Sequence, residues 1–421
     1  MESGESKNSQ PFWHYLFAAP HRPMFLAGTL QGVLTLAWWV FNLVARQQGT
    51  AAPGWSVAPS SAHAFLMIYG FFSFFIFGFL FTTFPSWMNG EKIRPRYFIS
   101  SCLSMVIGSS LFYLGLVTGK AIMAAGVFLL LAGFTGGAFA LLQVLFRGGK
   151  QDKRHSIAAS GGLVGGWIGI FSYLLWLLTD NRALGEFSRT AGIWFFILPI
   201  IMTVSHRMIP FFSSRVLENY VVVRPYWILW IMIACSVGHG LLQLQEAGPR
   251  YAWLLDFPLA VCAAYLSFTW GLLRSFRVRL LSVLHASFAW LVVAMLLYAV
   301  QGLVLFTSGG TSWIWGLAPL HALGIGYFAG MVLAMASRVT LGHSGRPLVM
   351  DEFTWRVFLG FQFAALFRVL PDTLTTALPA ATQMAPGLYL LAGLAWLICF
   401  TLWAIRFAPI YWRPRVDGKS G

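Results

Sequence analysis

Twelve apolar runs, most of them long enough to cross a lipid bilayer, limit what this chain can fold into more than any motif does. A hydrocarbon core of about 30 Å is crossed by about 20 helical residues. Runs of that order lie at 24–44, 63–84, 97–118, 121–146, 157–178 and 191–211, and again at 226–244, 251–273, 281–306, 313–337, 354–370 and 386–407. The 354–370 run is the shortest and is flanked by Arg356 and Arg368. A water-soluble globule is excluded, because with 58% hydrophobic and 10% charged residues and a mean hydropathy of +0.71 there is too little polar surface to cover one. The expected fold is an all-α integral membrane protein, a bundle of about twelve transmembrane helices. Residues 1–23 form a polar N-terminal segment, 24–407 the membrane domain and 408–421 a basic tail. The first apolar run lies too far from the terminus, and is too long, for a cleaved signal peptide.

The cations set the expected orientation. Of the 28 Lys and Arg residues, 22 fall in the terminal segments, the even-numbered loops and the helix ends beside them; the odd loops hold Arg46, Lys120, Arg182, Arg189, Arg250 and Arg368. Lys and Arg collect on the cytoplasmic side of a membrane, so both termini are expected in the cytoplasm, which requires an even number of crossings. The same dispersal accounts for the net charge of +15 without nucleic acid, since the cations form no single face.

Nucleophilic and thiolate chemistry is not indicated. Cys102, Cys235, Cys262 and Cys399 all lie in apolar runs and none belongs to a CxxC pair. Phosphate-loop, HExxH and GxSxG patterns are missing. Of thirteen carboxylates, Asp256 alone falls clearly inside an apolar run, which weakens an ion-driven transporter built on carboxylate relays.

The histidines carry the chemistry. An ionisable group within lipid is costly and marks a site by default. At about 1.5 Å per residue, His63, His239 and His321 fall near the outer ends of their runs, and His206, His285 and His343 near the cytoplasmic ends. His14, His21 and His155, in polar segments, are expected to be solvated. Neutral imidazole is a common ligand of haem iron and copper, and facing helices of a bundle bring such ligands together. Two layers can hold one centre each, or one layer can hold a single centre, while any one of these histidines can instead be a polar contact between helices. A second class of function, movement of copper or a small solute along a path of histidines with Met202, Met208, Met331 and Met335, is also open.

Several phrases carry a family resemblance. They are Met67-Ile68-Tyr69-Gly70-Phe71 after His63, Gly78-Phe79-Leu80 with Phe84-Pro85-Ser86-Trp87, Arg207-Met208-Ile209-Pro210-Phe211-Phe212, Leu284-His285 with Trp290, and above all His321 through Arg338-Val339-Thr340-Leu341-Gly342-His343-Ser344-Gly345-Arg346. Over nearly the whole chain the sequence resembles the NnrS family. The resemblance implies a bacterial inner-membrane protein of about twelve spans that contains haem and copper and is linked to nitric oxide and nitrosative stress. It implies metal ligands among His63, His206, His285, His321 and His343, with His63, His285 and His321 toward the haem and Arg207, Arg338 and Arg346 as partners for its propionates. The chain departs from the family in one place. Many members read His-Ala-His-Glu-Met where this chain has His63-Ala64-Phe65-Leu66-Met67, so a second histidine and a carboxylate are replaced by apolar residues.

Overall fold

A computed structural model describes residues 10–50, 54–149, 151–378 and 382–419; Lys7 and Lys150, counted above, lie outside the described residues, as do both extreme ends of the chain. Among the described residues there are helices and turns and no strand. The long helices are α1 (His21–Gln47), α2 (Pro59–Trp87), α3 (Pro95–Thr118), α4 (Lys120–Arg147), α5 (Arg154–Thr179), α6 (Arg182–Ser214), α7 (Tyr226–Gln243), α8 (Trp253–Thr269), α9 (Arg279–Thr307), α10 (Ala318–His343), α11 (Glu352–Ala377) and α12 (Ala385–Tyr411). Eleven of them are long and apolar enough to cross a membrane; α8, at 17 residues, is shorter. The short 354–370 run proves to be part of a 26-residue helix, because polar residues at both ends continue the α-helical phase.

Three helices form the centre. The most apolar stretch of α2 is 94% buried, that of α10 83% and that of α6 78%, whereas that of α12 is 28% buried and faces outward. These three share a local departure from α geometry: Leu66–Phe71, Ala191–Ile197 and Ala322–Ala329 are π-helical. The wider turn inserts a residue and so rotates the following helix by about 100°. Side chains next to these turns tie the centre together. The Tyr69 hydroxyl donates to Ser188 O at 2.6 Å, in the turn before the α6 π stretch. Ser205 and Tyr327 hydroxyls meet at 3.1 Å, and the Phe72 and Phe328 rings pack at 5.9 Å. Gly192 makes the approach of α2 possible, since a Cβ there would fall 2.7 Å from the Tyr69 hydroxyl and closer still to Ile68.

An apolar cleft runs between the same three helices. It is lined by Phe75 and Phe79 of α2, Ile200 and Val204 of α6, and Met331 and Met335 of α10, among others, with no charged residue and no histidine in the lining. Met202 and Met208, the other two residues of the methionine path, are not part of that lining.

The start of α1 meets the segment just after α12. Arg22, at the start of α1, donates from Nη1 to Tyr15 O (2.9 Å) and to Arg413 O (3.0 Å), just beyond α12. The end of the bundle where they meet is called the terminal end below, and the opposite one the far end.

Candidate functional site

The histidines sort into pairs that the sequence did not announce. At the far end, His63 lies in the second turn of α2 and His321 just ahead of the π stretch of α10, near enough to interact electrostatically with each other and with Arg368 of α11. The His63 ring stacks on Trp39 of α1 (4.0 Å between centroids, 14° between planes), and Arg46 lies over the same indole at 5.1 Å. Its Nδ1 is buried without a hydrogen-bond partner.

A chain of hydrogen bonds fixes His321. Asp372 of α11 accepts from Arg368 Nη1 at 3.0 Å, from the Tyr389 hydroxyl, and from the backbone N–H of Leu317 at 3.1 Å. The other side of Leu317, its carbonyl, lies 2.9 Å from His321 Nδ1. A carbonyl can only accept, so the neutral ring carries its proton on Nδ1 and leaves the Nε2 lone pair free. An orienting acceptor on one ring nitrogen and an open lone pair on the other is how metal-bound histidines are held. Beside it, a Cβ built on Gly324, one turn on, would meet nothing within 4 Å. The donor type, the open lone pair and the orphaned His63 Nδ1 fit an imidazole-ligated group such as haem, and Gly324 leaves that face of α10 uncrowded.

The remaining histidines are engaged by the protein. At the terminal end, His206 has its Nε2 3.3 Å from Pro225 O and its Nδ1 3.0 Å from His155 Nε2. Because Pro225 O accepts, neutral His206 must accept at Nδ1, and His155 Nε2–H donates to it. Arg207 Nη1 donates to His155 Nδ1 at 3.5 Å, and Tyr226, whose hydroxyl donates to Asp152 at 2.5 Å, packs on the His155 ring. Hydrogen bonds from Arg154 hold the Asp152 carboxyl well below the usual carboxylate range. His285 Nε2 is 3.0 Å from the Ser213 hydroxyl, and His343 packs against His21 at 5.0 Å between ring centroids.

Two expectations are corrected. His21 and His155 are not solvated but 2% and 1% exposed. His21 is the first residue of α1 and His155 the second of α5, just ahead of the apolar phase, and neighbouring segments fold over them; His14 is exposed as expected. Arg338 and Arg346, in turn, are remote from His321. Arg338 is seventeen residues further along α10, about 25 Å at 1.5 Å per residue, so no single haem can take His321 as ligand and Arg338 as propionate partner. Arg338 is 6% exposed and covers the Phe212 ring at 3.9 Å, while Arg207 covers Trp87 at 4.9 Å.

Copper fares differently. Among the described residues no three His, Cys, Asp or Glu side chains come together as a metal site. The missing family histidine is part of the reason: Phe65 fills that place as a core residue, stacked on Phe112 at 4.8 Å and on Tyr173 at 4.1 Å, and Leu66 beside it is 1% exposed. The donors present do not fit a three-ligand copper centre.

Sequence reasoning missed Arg368 and Asp372, although their i, i+4 spacing on one helix is a readable signal. It noted His239 and Asp256 separately and missed that they pair, His239 Nδ1 to Asp256 Oδ1 at 2.5 Å, with Trp194 stacked on the imidazole at 3.6 Å and the Gln243 amide on its Nε2 at 2.8 Å.

No curated protein matches the sequence. A family profile described as NnrS protein matches residues 15–415, nearly the entire chain. With its many apolar helices it is a multi-pass membrane protein, and it belongs to the NnrS family.

Proposed function

We propose that this is a haem protein of the bacterial inner membrane that binds nitric oxide or related nitrogen oxides as part of the response to nitrosative stress, with His321 and His63 at the haem. The observation that carries the reading is the fixed tautomer of His321 with its open Nε2 lone pair. Held there, haem would supply an iron able to take up a diatomic ligand. The chain's own residues do the rest. His321 offers Nε2, Leu317 and Asp372 hold its ring, Trp39 holds the His63 ring, and Arg368 is kept in place by Asp372. The apolar cleft between α2, α6 and α10 suits an uncharged gas better than a hydrated ion. Copper, which the resemblance also implies, is assigned no role.

Purified protein is expected to show a Soret band with iron bound in stoichiometric amount. Colourless protein that moves metal ions into liposomes would replace this reading with the transporter.

Asp372 is the positioning residue in this scheme. Asp372→Ala frees the Leu317 peptide and with it the His321 ring, and loss of such an orienting partner costs roughly 10- to 100-fold in affinity. Haemin titration of the variant is expected to show that loss. Affinity equal to the parent's would mean that His321 is not oriented through Leu317.

We further infer twelve crossings with both ends in the cytoplasm. The meeting of Arg22 with Arg413 O supports an even number of crossings, which makes α8 the twelfth. At 17 residues α8 spans about 25 Å, and the helical turn Gly248–Tyr251 leads into it. The 22-to-6 division of cations supports the orientation. Reporter fusions after Lys92, Arg154, Arg277 and Arg346 should all report cytoplasm; a periplasmic signal from any of them would invert the assignment.

A further inference from the structure

Arg346, one of the arginines remote from His321, belongs to a cluster of cations at the terminal end. The end of α10 and the loop after it, Gly342 to Pro347, are bound by the C-terminal tail. Arg415 Nη1 donates to His343 O at 3.0 Å, and Val416 N–H donates to Ser344 O at 3.1 Å. Gly345, at φ +73°, lets Asp417 press against the loop, since a Cβ there would fall 2.7 Å from that carboxylate. The N-terminal side closes the knot through Arg22, which is 2% exposed and holds Arg413 O and Tyr15 O. Arg22, Lys92, Arg346, Arg413 and Arg415 thereby gather around His21 and His343 within electrostatic reach of their neighbours.

Their charge is not balanced. Among the described residues Asp417 alone puts a carboxylate on any of the five cations, and it is taken by Arg415 Nε and Nη2 at 2.9 and 2.6 Å. Arg406 nearby is already paired with Asp351 at 2.6 Å. Two buried nitrogens at this place have no partner, Arg346 Nη1 and Nδ1 of His21, and the His21 side chain is almost wholly enclosed. Buried donors are rarely left unpaired, and guanidinium groups brought together without carboxylates match the oxygens of a phosphate.

We propose that this knot of chain ends and loop is a binding site for a phosphate-bearing anion, presented by an anionic phospholipid headgroup or by a free phosphate ion. The inference rests on the terminal end alone and stands or falls separately from the haem at the far end.

The test uses the full chain in nanodiscs of equal phosphatidylglycerol and phosphatidylcholine, followed by gentle detergent extraction and counting of retained lipids by native mass spectrometry. In parallel, inorganic phosphate is compared with chloride at equal ionic strength for its effect on the melting temperature. The parent should retain phosphatidylglycerol over phosphatidylcholine, and Arg22→Gln with Arg346→Gln should lose that preference by about fivefold for each cation removed. If phosphate raises the melting temperature of the parent and not of the variant, while phosphatidylglycerol is not retained, the anion is free phosphate. Should burial of Arg22 make that pair unfoldable, Arg413→Gln keeps the carbonyl that Arg22 uses and removes an exposed cation, and should show a single such step. As control, Arg215→Gln with Arg277→Gln removes two exposed cations elsewhere. Equal losses in control and site variants, or no preference for either probe in the parent, would overturn the proposal.

Discussion

His321→Ala should yield a protein that inserts and folds but has lost its Soret band. The ring is held through Nδ1 by Leu317 O, and among the described residues no hydrogen bond reaches its other nitrogen. If the histidine is merely a packing residue, its removal costs about 1 to 3 kcal/mol for the partner left unsatisfied, and the absorption is unchanged. If it is the axial ligand, the iron-to-protein ratio and the low-temperature paramagnetic spectrum must change outright. Imidazole added to the growth medium should then restore part of the band, because the space vacated lies beside the uncrowded face at Gly324. Full iron content and an unaltered spectrum in His321→Ala would remove the basis of the haem assignment.

The opposite outcome is expected of His239→Ala, which should keep the spectrum and lose stability. Asp256 is 1% exposed; its Oδ1 is paired with His239 and its Oδ2 has no partner. Taking the imidazole away leaves a carboxyl enclosed with nothing to answer it, and removing one partner of a buried pair typically costs about 3 to 5 kcal/mol. The loss should appear in reversible unfolding by denaturing detergent. Replacing both residues, His239→Leu with Asp256→Leu, should recover most of it, since an apolar pair of similar volume has no charge to desolvate. A single variant that unfolds normally but has lost haem would show instead that the dyad belongs to the cofactor site.

The membrane class, the helices and the histidines themselves were legible because lipid imposes a length rule and a polarity rule on every span. The 354–370 run was underestimated because Arg368 and Asp372 reads as a polar boundary, whereas the two cancel each other's charge inside the bundle and allow α11 to continue. Likewise, the burial of His21 and His155 is not legible in the sequence because burial at a helix start depends on what folds over it, here the end of α10 at His343 and the segment around Tyr226, and that is long-range information. Arg338 and Arg346 cannot serve a haem held by His321 for a different reason. Residues of one motif were treated as one site, although a helix that crosses a membrane carries the two ends of its motif to opposite faces. The pairing of Asp372 with Arg368 is readable from their spacing, but its link to His321 is not, because it passes through the Leu317 peptide group.

The π-helical stretches begin at Leu66, Ala191 and Ala322, so they recur every fourth helix, 125 and 131 residues apart. Pro85 and Pro210 each follow the start of their stretch by nineteen residues. The described helices thus fall into three successive groups of four, each contributing one wide-turned helix to the buried centre. In two of the groups an imidazole precedes the π stretch, His63 by three residues and His321 by one. In the remaining group, Ser188 occupies the corresponding turn, and its carbonyl is capped by the Tyr69 hydroxyl reaching across from the first group. The position three residues ahead of the stretch is thus an imidazole in the first group and a capped serine in the second, so the same wide turn is preceded by a free donor atom in one helix and by a closed contact in the next.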